Sequence, residues 1–236
     1  ALEHTQRIYV MNDGKIVDNL PTEKFSVSEK SDYATELFLS NDRLKNSVPP
    51  NESTEKADVF LNVADLNVYH ASSGGRCLFF NKKKHAVKNA SFSIEKGETL
   101  GILGESGSGK TSLAWALSGL IPHHSGSIEF NSKMSKSDIQ MVFQNPGLAL
   151  SPKQKVGAAV EEVILVNKNK YNGAISTELT REYFEMVGLD LSFMGRQPHQ
   201  LSGGEKQRVC IAKALAAQPQ LIIFDEAVSS LDASVK

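Results

Sequence analysis

No sign of charge dominates this chain. Lys and Arg number 26 and Asp and Glu 27 in 236 residues, a net charge of −1. A protein that holds nucleic acid by charge carries a basic excess, so that partner is not expected. Cysteine is scarce as well. Cys77 and Cys210 stand too far apart for a disulfide framework or a CxxC metal site, and a reducing, cytosolic compartment is the expectation. No run reaches the ~18 uninterrupted apolar residues that a bilayer span needs. The opening ALEHTQRIYV lacks the basic-then-apolar order of a secretion signal. Any membrane association is therefore expected to come through partners. What is present is globular: 40% of residues are hydrophobic and 22% charged, enough for one large domain, or for one domain with a fragment attached.

Arg7 to Asp18 places two β-prone runs around Asn12-Asp13-Gly14, which predicts a tight hairpin. Residues 26–57 turn polar. A short helix is expected over Tyr33 to Leu44, and Pro49-Pro50 opens a linker end. From Val59 onward, strand-like and helix-like segments alternate. Strands are expected at Phe60–Val68, Ala86–Ile94, Glu98–Gly104, Ile139–Phe143 and, fully buried, Leu221–Asp225. Helices are expected at Thr111–Leu120, through much of 156–195, and at Ser202–Ala217. Lys82-Lys83-Lys84 reads as a solvated hairpin tip. Alternation of this kind indicates an α/β layered fold with largely parallel central strands.

Gly104-Glu105-Ser106-Gly107-Ser108-Gly109-Lys110-Thr111 satisfies GxxxxGK[ST] between a strand and a helix, the context of a phosphate-binding loop. Glycine at 104, 107 and 109 lets main-chain N–H groups close around phosphate where a Cβ would obstruct them. The positive end of the following helix adds to the cradle. Lys110 would reach the β- and γ-phosphates, and Thr111 would offer a hydroxyl to Mg²⁺. Leu221-Ile-Ile-Phe-Asp225-Glu226 is an apolar strand ending in two acids: Asp225 as a candidate Mg²⁺ ligand, Glu226 as a candidate base for water. Leu201-Ser202-Gly203-Gly204-Glu205 contains an S-x-x-E capping box and also a Ser hydroxyl beside bare backbone N–H groups, an anion site.

In that order, these three motifs resemble the nucleotide-binding domain of an ABC transporter. Phe143-Gln144-Asn145-Pro146 resembles the family's Q-loop, and Ser229-Ser230-Leu231-Asp232 its D-loop. Tyr69 resembles the aromatic that stacks on adenine, though a strand residue packing on the sheet reads equally well. Gly97 to Thr111, Ile139 to Gln144, Pro198 to Gly204 and Asp225 to Asp232 resemble the peptide/nickel importer subfamily. The resemblance implies an α/β P-loop NTPase fold with a mixed, largely parallel core sheet and a helical subdomain.

For the site it implies ATP held by Tyr69, residues 104–111 and Ser112. Ser202, Gly203, Gly204 and Asp232 would meet nucleotide from a facing domain. Mg²⁺ would sit on Thr111, Gln144 and Asp225, with Glu226, Lys110 and Gln144 catalytic. Residues 7–44 resemble the hairpin and extension that close such a domain. The expected organisation is therefore 1–48 as the tail of an upstream ABC domain, 49–57 as linker, and 58–236 as a second domain cut after its D-loop, with its switch histidine beyond Lys236.

The implied function is an importer ATPase for oligopeptides or dipeptides, at the cytoplasmic face of the membrane. It would pair with a second ABC domain in an ATP sandwich, bind two integral membrane permeases, and serve a solute-binding protein indirectly. A nickel or metal-chelate importer is one alternative, and a soluble ribosome-acting tandem ATPase another. The stretch from Lys110 to Ser202 leaves no room for the coiled-coil arm of a repair ATPase. His70, His85, His123, His124 and His199 show no i,i+4 pairing and read as surface or packing residues.

Overall fold

The computed structural model describes residues 5–21, 58–71, 83–131, 134–135 and 138–226. The helix expected at Tyr33–Leu44, the linker and the D-loop lie outside those residues. The chain divides into two compact units, Ala1–Lys133 and Met134–Lys236.

In the first unit, β1 (Arg7–Asn12) and β2 (Lys15–Pro21) form the expected hairpin. Its turn residues Asp13 and Gly14 have φ of 44° and 78°, the paired positive values that a two-residue I′ turn requires. Two long strands follow, β3 (Val59–Ala71) and β4 (Lys83–Glu95), paired antiparallel from Val59↔Glu95 to Ala71↔Lys83. Lys83 and Lys84 thus lie within a strand, where pairing with Ala71 and His70 extends the ladder past the expected tip. β5 (Leu100–Leu103) is parallel to β1, giving the order β2-β1-β5.

α1 (Lys110–Leu117) stops short of Leu120 because Gly119, at φ 72°, turns the chain. The Leu120 N–H then donates to Trp115 O and the Gly119 N–H to Ala116 O, closing the helix end. β6 (Ser125–Phe130) completes a second sheet, β4-β3-β6. This strand is not evident in the sequence, since Ser125-Gly126-Ser127 reads as loop. Gly126 sits at φ 92°, where a Cβ would lie 2.5 Å from the carbonyl oxygens of Ala64 and Asp65. Close backbone approach at an irregularity in β3 demands the glycine. Leu61, Val63, Leu66, Val68, Val87 and Leu113 are buried, and Tyr9 meets Phe92 at 5.8 Å, so β1 and β4 share a core.

In the second unit, β7 (Ile139–Val142) pairs in parallel with β8 (Leu221–Phe224). β8 is half-buried rather than fully buried, and Phe224 is 47% exposed. Among the described residues only β7 pairs with it, so a two-strand ribbon leaves part of each face open. Three helices build the rest: α2 (Val156–Val166), α3 (Ser176–Met186) and α4 (Gly203–Ala216). Val156, Val160 and Ile164 on α2, Thr180 and Phe184 on α3, and Val209, Ala212 and Ala216 on α4 recur at three- and four-residue spacing and are buried. A Cβ on Gly157 would lie 2.9 Å from Met194 Cβ, so α2 lies close against the short turn 191–195.

Candidate functional site

The first unit carries the phosphate-loop motif between β5 and α1. Gly104, Gly107 and Gly109 adopt φ of 157°, 86° and 109°. A Cβ at Gly104 would collide with the Met11 carbonyl and meet Ser108 Oγ at 2.6 Å; at Gly109 it would collide with the Ala86 carbonyl. Gly107 has open space around it, so there only the backbone angle demands glycine. Lys110 Nζ donates to the carbonyls of Gly104 (2.7 Å) and Glu105 (2.9 Å), which places an ammonium inside the loop. Ser108 is buried, and its Oγ has no hydrogen-bond partner among the described residues. Gly109 is the N-cap of α1, and no side chain caps that helix. A cradle that excludes Cβ atoms, an internal cation, an unpartnered buried hydroxyl and an uncapped helix start fit a chain of phosphates. Glu105, Ser106 and Gly107 are exposed at its rim.

Beside the cradle, Ser112 Oγ lies 2.7 Å from His70 Nε2. Tyr69, the candidate adenine platform, stacks on His85 with ring centroids 4.2 Å apart and planes at 12°, and His124 meets it edge-on at 5.0 Å. One face of the Tyr69 ring is thus covered by protein. His85 is held in turn by Asn67 Oδ1 at 2.8 Å. Sequence reasoning missed the His70–Ser112 and Tyr69–His85 contacts. The only signal for the second is the register Tyr69↔His85, which exists once β3 and β4 are paired.

The second unit carries the remaining candidates. Gln144 and Glu226 are brought together: Gln144 Nε2 donates to Glu226 Oε2 at 2.8 Å, and both are exposed. Asp225 is anchored through its N–H to Val142 O at 3.0 Å. Behind Gln144, the fully buried Gln207 of α4 donates from Nε2 to Phe143 O at 3.3 Å.

Ser202 caps α4. Its Oγ accepts from the Glu205 N–H at 3.3 Å, and Glu205 Oε2 accepts from the Ser202 N–H at 2.7 Å, the expected capping box. That backbone bond, with the Ser202 hydroxyl second, holds the Glu205 carboxyl below its ordinary range. Gly203 has nothing within 4 Å of a would-be Cβ. Ser202, Gly204 and Glu205 line a recess of about 300 Å³ together with Leu189, Phe193 and Arg208. Asp232 lies outside the described residues. No group of three or more His, Cys, Asp or Glu side chains able to hold a metal occurs among the described residues. None of the described helices is long and apolar enough to cross a membrane.

A P-loop between strand and helix, a Gln–Glu pair after two parallel strands and a capped Ser-Gly-Gly helix start define a nucleotide-binding α/β protein of the cassette type. A family profile described as ABC transporter matches residues 87–229, and the chain belongs to that family. A putative peptide import ATP-binding protein of Brucella abortus is 41% identical over 186 residues, covering 74% of this chain and 54% of the relative. The oligopeptide transport ATP-binding protein OppF of Haemophilus influenzae is 36% identical over 76% of this chain and 58% of its own length. The glutathione import ATP-binding protein GsiA of Escherichia coli is 40% identical over 66% of this chain and 26% of its own length. The chain spans about half the length of the first of these relatives. Among solved structures, cbiO1 from Clostridium perfringens, part of the ABC transporter complex cbiONQ, matches with a TM-score of 0.56 at 28% identity over 74% of this chain and 68% of that one. A dimeric ATP-binding cassette in a post-hydrolysis state with ADP and Pi matches with a TM-score of 0.60 at 27% identity, over 74% and 77%.

Proposed function

We propose that this chain is the ATP-binding and ATP-hydrolysing part of an ABC importer whose cargo is an oligopeptide or dipeptide. The observation that carries the reading is the Gly104–Thr111 cradle with the Lys110 ammonium inside it. The names of the relatives support the peptide cargo and the direction of transport.

Phosphoryl transfer to water is mostly positioning and charge stabilisation. Lys110 exchanges two neutral carbonyl acceptors for phosphate oxygens, which sets its ammonium against opposite charge. The uncapped start of α1 contributes N–H groups to the same anion. Glu226 accepts the proton of the attacking water. Gln144 orients that carboxylate through its Nε2, which leaves its amide oxygen for a hard cation. Thr111, Gln144 and Asp225 would be the oxygen donors to Mg²⁺, the ligand type that this hard cation takes. Bound Mg²⁺ would neutralise phosphate charge. Ser202, Gly203 and Gly204 offer a hydroxyl and backbone N–H groups to the γ-phosphate held by a second cassette, so two cassettes close around ATP, with Asp232 at their junction. Tyr69 is the aromatic platform for adenine.

Residues 1–48 are by origin the tail of a preceding cassette, whose hairpin takes its seat here on β5 of this one, and 49–57 are the linker. The assembly sits at the cytoplasmic face of the membrane on two permeases fed by a solute-binding protein.

The test uses the full-length protein with its permeases in proteoliposomes. Lys110→Ala should lower the hydrolysis rate by about 10²–10³-fold. Glu226→Gln should keep ATP affinity within a few-fold and abolish turnover. Undiminished hydrolysis in Lys110→Ala would remove the cradle from the reaction.

A further inference from the structure

We propose that the hairpin β1–β2 is a positioning element for the phosphate loop, and that Gly14 at its turn sets the loop's grip on ATP. The inference rests on nucleotide binding at Gly104–Thr111, as read above. Two features tie the hairpin to the loop. First, β1 pairs with β5 over Arg7↔Leu100 to Val10↔Leu103, and Ile8, Val10 and Met11 are buried. The strand that leads into the loop therefore takes its neighbour from a segment some ninety residues earlier. Second, the turn reaches the loop itself. The Gly14 N–H donates to Ser108 O at 2.8 Å, and the Gly14 carbonyl accepts from the Lys88 N–H at 2.7 Å. Gly14 thus links the loop to β4 through main-chain atoms alone.

The geometry has a direct consequence for the cradle. In a trans peptide the C=O and N–H point in opposite directions. Anchoring the Ser108 carbonyl on Gly14 therefore directs the Gly109 N–H away from the hairpin. The approach is as close as bare backbone allows. A Cβ on Gly109 would lie 3.4 Å from Gly14 Cα, one on Gly104 would collide with the Met11 carbonyl, and one on Gly14 would lie 2.7 Å from Ala86 O. The Asp13–Lys88 ion pair at 2.6 Å is exposed and adds little. Covering a sheet edge accounts for β1 and for a glycine in its turn, but not for the main-chain bonds that this glycine makes to Ser108 and Lys88.

The full chain tests this by titration with the fluorescent analogue mant-ATP and Mg²⁺. Gly14→Val should weaken affinity at least tenfold. Phe60→Ala, which removes core packing on β3 away from the loop, should lower the melting temperature yet keep affinity within twofold. Equal losses of affinity in the two variants would reduce the hairpin to scaffolding and overturn the proposal. Hydrogen exchange on the unaltered protein needs no variant: saturating ATP should slow exchange over residues 7–14 as well as 104–112. Slowing confined to 104–112 overturns the proposal while leaving nucleotide binding in place. Failure of the unaltered protein to bind mant-ATP overturns the proposed function, and this inference with it.

Discussion

Asp138 shows what one buried carboxylate does for the second unit. It is 8% exposed, and it accepts from Lys170 Nζ at 2.7 Å and from both the N–H and the hydroxyl of Ser135. Lys170 also donates to the carbonyls of Ala217 and Gln218, so one ammonium joins the approach to β7 with the end of α4. These bonds, the one from Lys170 first, hold the Asp138 carboxyl down to about 2. The folded value lies below the unfolded one. Its contribution is therefore complete above the ordinary carboxylate pKa and is lost as pH falls from about 4 towards 2. Asp138→Asn should lower the melting temperature at pH 7, and the gap to the unaltered protein should narrow by pH 3. A gap that does not change with pH would mean that shape, not charge, holds the cluster. Cys210 illustrates the opposite case: burial pushes its thiol up to about 11, so it behaves as a small core residue.

At the scale of elements, α4 joins stability to the site. The same Ser202 that opens the proposed contact to a facing nucleotide also caps fourteen residues of helix. Replacing it by Ala should cost about 1 kcal/mol, while Gly costs only a few tenths. Thermal melting of the two variants should separate capping from nucleotide contact, since both lack the hydroxyl and Ala destabilises more than Gly. The elements that could be read from sequence are those with local causes: the Asp13-Gly14 turn, the strand–glycine–helix order at Gly104–Thr111, and the Ser202–Glu205 box. Each depends on residues within one turn of each other. β6 escaped because its glycine answers to a bulge in a strand sixty residues away. The cover on Tyr69 escaped because His85 reaches it only through register. The end of α1 falls short of Leu120 because Gly119 turns the chain at φ 72°.

At the scale of the molecule, the near-balance of charge separates the competing roles. A net charge of −1 gives the chain no overall basic excess of the kind that nucleic-acid binders carry. The importer role proposed above predicts that the full-length protein co-purifies with integral membrane permeases and not with ribosomes. Sedimentation with ribosomes that persists at moderate salt would favour the non-transport reading. The candidate residues were legible as a set because they are short, ordered motifs. Their arrangement was not, because it depends on contacts between segments far apart in sequence. The seat of β1 on β5 is the clearest instance.

That seat has a consequence during synthesis. β1 leaves the ribosome some ninety residues ahead of β5. At about 5–20 residues per second, it waits roughly 5–20 s for its partner. A lone two-stranded ribbon is marginal in water, so Ile8, Val10 and Met11 spend that interval without the neighbours that later enclose them. The hairpin thus stays without its β5 neighbour until Leu103 is translated, and chaperone contact with residues 7–21 should persist until then.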